Sequence, residues 1–226
     1  MEFRYSSDRT LLVSLGDRIA LDTHYRVLKF LRRLESSGIR AIRNLSPAYC
    51  SVMVHFDPCA TSHEELEVQL RELVCDLDAV PLHSPNRVEI PVCYGGEFGP
   101  DLPDVAALHG LTTNDVIRIH SESMYHVYFL GFVPGFGYLG GLPDSIATPR
   151  LPSPRKRVEV GSVGIAGNQT GIYPRPTPGG WRLIGRTPLQ IFRADRNPMS
   201  LLSIGDEVRF RAVTLEEFRE LEAGAA

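Results

Sequence analysis

The sequence lacks a stretch suited to cross a membrane as a helix. Its longest nearly charge-free run, Tyr125 to Pro143, is interrupted by five glycines and two prolines and reads as buried strand plus loop. A secretory signal is also missing. The opening MEFRYSSDRT has neither an apolar core nor a small-residue cleavage site, which predicts a cytoplasmic protein. Cysteine is scarce. The four at positions 50, 59, 75 and 93 form no C-x-x-C pair, and the seven histidines at 24, 55, 63, 83, 109, 120 and 126 show no ligand spacing. No metal centre is expected, and the thiols are expected reduced and buried. Positive charge is not in excess: 24 Lys and Arg face 27 Asp and Glu, which argues against nucleic acid as the main partner. Short catalytic signatures are absent too, including G-x-S-x-G, the phosphate loop, H-E-x-x-H and G-x-G-x-x-G between a strand and a helix. What is present is a 226-residue chain of ordinary globular composition, 43% hydrophobic, with 20 Gly and 17 Pro. That length allows one large domain or two small ones.

Periodicity supplies the layout. Thr10 to Gly16 is β-prone, and Val27, Leu28, Leu31 and Leu34 follow at helical spacing between a candidate cap at Asp22 and a stop at Gly38. Ile39 to Leu45 and Ser51 to Phe56 read as strands, and Ser62 with Glu65 forms a capping box before the apolar series Leu66, Leu70, Leu73 and Leu77. A further strand at Arg87 to Cys93 would either complete a ferredoxin-like split βαβ unit or open a second domain. The segment PLHSP, residues 81 to 85, ends the preceding helix and is the best linker, so the expected domains are 1–84 and 85–226. Two short helices, Asp104 to Leu108 and Thr113 to Ser121, are too acidic for a DNA-reading pair. Beyond Tyr125, short apolar runs divided by Gly and Pro predict a β-barrel or sandwich, closed by a helix at Thr214 to Glu222.

Charge distribution carries the chemical signal. Between Ser145 and Arg193 stand eight basic residues (Arg150, Arg155, Lys156, Arg157, Arg175, Arg182, Arg186 and Arg193) and one acid, Glu159. Guanidinium groups in Gly- and Pro-rich loops suit bidentate recognition of carboxylate or phosphate, unless acids elsewhere in the chain neutralise them. Arg182 and Arg186 would project to one face of an unbroken strand, with Arg150 and Arg155 converging from the preceding loop. Gln169, Thr170 and Tyr173 would add neutral hydrogen bonds, and Phe132, Phe136, Tyr138 and Trp181 would form apolar walls. The many glycines equally suit tight barrel corners. Glu97 and His120 are the nearest candidates for a catalytic acid and base.

Five ordered motifs give these residues a context: PVCYGGEFGPDL (91–102), LGFVPGFGYLGGLP (130–143), TPR with SPR (148–150 and 153–155), GSVGIAGNQTGIYP (161–174) and PGGWRLIGRTP (178–188). Together they resemble the family of 5-oxoprolinase B subunits, also named KipI or allophanate hydrolase subunit 1. The resemblance implies an α+β chain, a ferredoxin-like α/β domain followed by a cyclophilin-like β-barrel. It implies a hydrolase component that, with the A subunit and a KipA-like C subunit, opens 5-oxoproline to glutamate. ATP with Mg would serve the assembled complex, with none bound by this chain alone. Two alternatives accompany it: inhibition of a sensor histidine kinase, or half of a urea carboxylase-type carboxyltransferase. The latter needs biotin on another chain, because none of the four Met is followed by Lys. Two departures from the family pattern loosen local backbone, Gly137 where relatives usually carry proline and Val158-Glu-Val-Gly161 in place of VPAG.

Overall fold

Alternating apolar residues and two amphipathic helices build the first part of the chain. The computed structural model describes residues 1–82 and 84–224, and the chain divides into two compact units, Met1–Ser84 and Pro85–Ala226. His83 and the last two residues lie outside the described residues. In the first unit, strands β1 (Glu2–Ser7), β2 (Thr10–Ser14), β3 (Ile42–Pro47) and β4 (Ser51–Phe56) form an antiparallel sheet of order β1-β2-β4-β3. Helices α1 (Leu21–Ser36) and α2 (His63–Val74) follow β2 and β4. Leu11, Val13, Val52, Val54 and Phe56 from the sheet and Val27, Phe30, Leu66 and Leu70 from the helices are buried. The capping box of α2 forms: Ser62 Oγ accepts from Glu65 N at 3.2 Å, and Glu65 Oε2 accepts from Ser62 N at 3.2 Å. Asp22, by contrast, is not the cap of α1. The helix begins after Ala20, and Asp22 accepts the Thr23 N–H at 2.7 Å within the first turn, where an acid also complements the helix dipole.

The second unit opens with β5 (Arg87–Tyr94). This strand belongs to the barrel, so it does not complete the first sheet. The edge beside β2 is taken instead by β1, whose residues EFRYSS are exposed except for half-buried Phe3, under the Arg71 guanidinium at 4.3 Å. Helices α3 (Leu102–Leu108) and α4 (Thr113–Glu122) follow, then β6 (Met124–Leu130), β7 (Gly137–Gly140), β8 (Arg155–Val158), β9 (Ser162–Ala166) and β10 (Gln169–Ile172). The chain continues through β11 (Thr177–Gly179), β12 (Arg182–Arg186), β13 (Glu207–Ala212) and α5 (Leu215–Gly224). Seven strands close a barrel in the order β10-β7-β6-β13-β5-β12-β9, while β8 and β11 pair as a separate ribbon. Only β5 and β13 run parallel; the other barrel pairs are antiparallel. Ile90, Val92, Val127, Leu139, Val163, Ile165, Ile184, Val208 and Phe210 fill the interior. The fold is thus mixed α/β around a closed seven-stranded barrel.

The cysteines depart from expectation. All four are free, but Cys59 and Cys75 are exposed and Cys50 and Cys93 only half-buried. Among the described residues no helix is long and apolar enough to cross a membrane.

Candidate functional site

Four of the eight basic side chains between Ser145 and Arg193 are neutralised by carboxylates: Arg155 by Asp101, Arg157 by Glu159, Arg182 by Asp104 and Arg193 by Asp195. The Arg155 pair is a clamp. Its Nη2 donates to Asp101 Oδ1 at 2.7 Å, and Asp101 Oδ2 accepts from Leu183 N at 2.6 Å, tying the start of α3 to β12. Arg182 donates to Asp104 at 3.3 Å and to the Pro149 carbonyl at 3.4 Å. A bulge between Leu183 and Gly185 sets Arg182 opposite Ile165 and Arg186 opposite Ser162, three partner positions apart. An odd separation turns the two side chains to opposite faces, so the shared face expected of an unbroken strand does not form. Arg186 instead donates from Nε to the Val160 carbonyl at 2.8 Å, with its guanidinium 5.5 Å from the Phe98 ring.

Arg150 differs from its paired neighbours. It is exposed, has no carboxylate partner among the described residues, and sits 6.0 Å over the Trp181 ring. Below it lies an aromatic cluster centred on buried Phe136. Tyr138, Tyr173 and Trp181 meet that ring edge-on at 5.0, 5.3 and 5.4 Å. Phe132 joins from the rim at 5.7 Å, 60% exposed and with φ of 64°, a left-handed conformation unusual for a bulky residue. Burial pushes the Tyr173 phenol up to about 12, partly opposed by the Trp181 backbone and the nearby Arg150 and Arg155 charges. Burial likewise raises Tyr138, and Arg150 opposes it. Both phenols therefore stay protonated near neutral pH and keep a hydroxyl donor. The arrangement combines a cation, two phenols and aromatic faces, which suits an anion carrying a flat or apolar body.

The proposed acid and base stand elsewhere. Glu97 is exposed on the loop after β5, where its charge, after burial, helps raise the Cys93 thiol. His120 is fully buried and stacks on Phe210 at 4.5 Å. Thr170 Oγ1 donates to the Gly164 carbonyl at 3.0 Å, so it accepts from His120 Nε2 at 2.9 Å. That assigns the proton to Nε2 and leaves Nδ1 to accept from Tyr94 Oη at 2.7 Å. Desolvation lowers His120 to about 3, keeping the ring neutral. Thr170 thus belongs to a buried network, and Gln169 is half-buried at the start of β10, opposite Gly140. The structure brings Arg150 together with Phe132, Phe136, Tyr138, Tyr173 and Trp181. It does not bring Glu97 and His120 to one accessible point, and Arg186 occupies a separate surface. Among the described residues no group of three His, Cys, Asp or Glu is placed to hold a metal ion.

Known proteins match this architecture along the chain. The family model for the carboxyltransferase domain, subdomain C and D, covers residues 1–202. The 5-oxoprolinase B subunit of Bacillus subtilis (strain 168) is 40% identical over 227 residues, spanning 93% of this chain and 92% of that protein. This chain belongs to the family of 5-oxoprolinase B subunits. A family member from Escherichia coli O157:H7 is 56% identical over 123 residues, 54% of this chain and 56% of that protein. The fold extends further, to a crystal structure of Kluyveromyces lactis urea carboxylase, with a TM-score of 0.79 at 21% identity over 99% of this chain and 22% of that one. In this member of the 5-oxoprolinase B-subunit family the motif segments converge. Phe132, Phe136 and Tyr138 come from 130–143, Arg150 from 148–150, Tyr173 from 161–174 and Trp181 from 178–188, all on one cluster. Sequence inspection missed Asp101, Asp104 and Tyr94. The two acids share α3's start with Leu102, and their Arg partners lie 54 and 78 positions away, so no local pattern marks the pairs.

Proposed function

We propose that this chain is the B subunit of an ATP-dependent 5-oxoprolinase and contributes a substrate- or phosphate-binding surface to a complex with the A and C subunits. The observation that carries this reading is the meeting of four separate motif segments at one aromatic cluster beneath an unpaired arginine. Phosphorylation of the lactam oxygen would turn a poor electrophile into one that water attacks. A guanidinium such as that of Arg150 would favour the negative charge on carboxylate or phosphoryl oxygens. ATP with Mg would be held within the assembled complex, in the cytoplasm. Among the described residues no base of suitable exposure stands beside Arg150, which favours a site completed by a partner. We read the barrel as cyclophilin-like, and the first unit as a ferredoxin-like variant in which β1 takes the remaining edge. The test is reconstitution: the A and C subunits are mixed with and without this chain, and ATP-dependent glutamate formation is followed. Turnover that requires the chain supports the proposal, and an equal rate without it overturns it.

A second reading has one observation in its favour, the carboxyltransferase description of the matching family model. It makes the chain half of a urea carboxylase-type carboxyltransferase served by biotin on another chain. Carboxyl transfer from a biotin-bearing partner, in place of oxoproline-dependent ATP use, would select it.

A further inference from the structure

A cavity of about 250 Å³ on the second unit shares no lining residue with the Arg150 cluster and is lined by Arg186, Thr187, Pro188, Leu189, Gln190 and Glu222 among others. Sites for drug-sized ligands run ~300–1,000 Å³, so its occupant is small. Arg186 is held in place before any ligand arrives: Nε donates to the Val160 carbonyl at 2.8 Å and the guanidinium rests 5.5 Å from the Phe98 ring. The supporting turn is itself tied down, since Gly161 N donates to the Tyr173 carbonyl at 2.7 Å and Thr187 N to the Gly161 carbonyl at 2.9 Å. Gly161 has φ of 79°, and a Cβ there would collide with the Thr187 carbonyl oxygen. Neither terminal nitrogen of Arg186 has a hydrogen-bond partner among the described residues, which leaves a bidentate fork open to a ligand; the exposed Glu159, itself bonded to Arg157, feels the Arg186 charge without bonding to it. Glu222, on α5, lines the same cavity and forms no ion pair with Arg186 or any other described residue.

A cation and a carboxylate that line one small cavity without forming an ion pair with each other suit a ligand that carries both charges. A nucleotide or inorganic phosphate would meet repulsion from the exposed Glu222, whereas a ligand with an ammonium beside its carboxylate would gain attraction there. We propose that this cavity binds a small α-amino acid, its carboxylate on the Arg186 fork and its ammonium against Glu222, with Gln190 offering neutral hydrogen bonds. This inference rests on the cavity alone, so a chain that fails to restore oxoprolinase turnover leaves it intact.

Calorimetric titration of the full chain with L-alanine, L-glutamate, propionate and glutarate tests it. Each amino acid should bind at least about tenfold tighter than its deaminated analogue, the scale of one charge-assisted hydrogen bond. R186Q should abolish binding, and R186K, which keeps the charge but not the fork, should weaken it by about tenfold. E222Q should remove the preference for amino acids while retaining the carboxylate site. Near-UV circular dichroism and melting temperature report that each variant is folded, and R186K keeps the test valid should R186Q unfold. Absence of binding by both amino acids, equal affinity for alanine and propionate, or affinity unchanged in a folded R186K would each overturn the proposal.

Discussion

At the scale of single residues, two arginines five positions apart have opposite consequences. Arg150 has no carboxylate partner among the described residues, so R150A should leave the melting temperature unchanged while weakening substrate binding by the assembled complex by about 1.5–3 kcal/mol, seen as a raised KM. Arg155 holds Asp101, whose side chain is only 7% exposed, while its own is 29% exposed. R155A should therefore cost about 2–3 kcal/mol in urea unfolding, less than the ~3–5 kcal/mol of a fully buried pair, because water partly screens the guanidinium. His120 makes a pH prediction. Its folded value of about 3 lies below the ordinary 6.5. The unfolded chain therefore takes up the proton first. Its contribution is fully present above the unfolded value and is lost as pH falls from there toward the folded one, by at most about 1.4 kcal/mol per pH unit. Unfolding free energy measured between about pH 6 and 4 should fall less steeply in H120Q than in the native chain. An equal slope would show that the ring titrates freely in the fold. Arginine as the chemistry-bearing type was legible in the sequence. Which arginines are neutralised was not, because Asp101 precedes its partner by 54 positions.

Elements were legible where local interactions decide them. The α2 capping box involves only residues three apart, and Ser62 and Glu65 announce it. S62A should lower the stability of the first unit by about 1 kcal/mol, measurable as a shifted midpoint in the helical circular dichroism signal, and no shift would mean the exposed cap is replaced by water. Strand β1 gave no such notice. It is a mostly exposed edge strand whose alternation is confined to Phe3 and Tyr5, too short a run of apolar positions to read as a strand. Strand β12 misled for a different reason: WRLIGR has an even spacing between its arginines, and the bulge that reverses their facing arises from pairing with β9. Parity along one strand says nothing about a partner 20 residues earlier.

On the scale of the whole molecule, two separate sets of buried side chains serve Met1–Ser84 and Pro85–Ala226. The segment 85–226 expressed alone should therefore melt in one cooperative transition with native near-UV signal, and a gradual melt would show that it depends on the first unit. The order of strands in the barrel also bears on how the protein is born. Strand β13 lies between β5 and β6, and its pairing with β5 joins the first strand of the barrel to the last. More than a hundred residues separate them, so during synthesis at ~5–20 residues per second β5 waits roughly 6 to 24 s for its neighbour. Until then it presents an open hydrogen-bonding edge, Arg87 to Tyr94, to anything in the cell able to pair with it. A ribosome that stalls before residue 207 leaves a product with a hydrophobic interior and no means of closing it, the kind of nascent chain that chaperones must shelter.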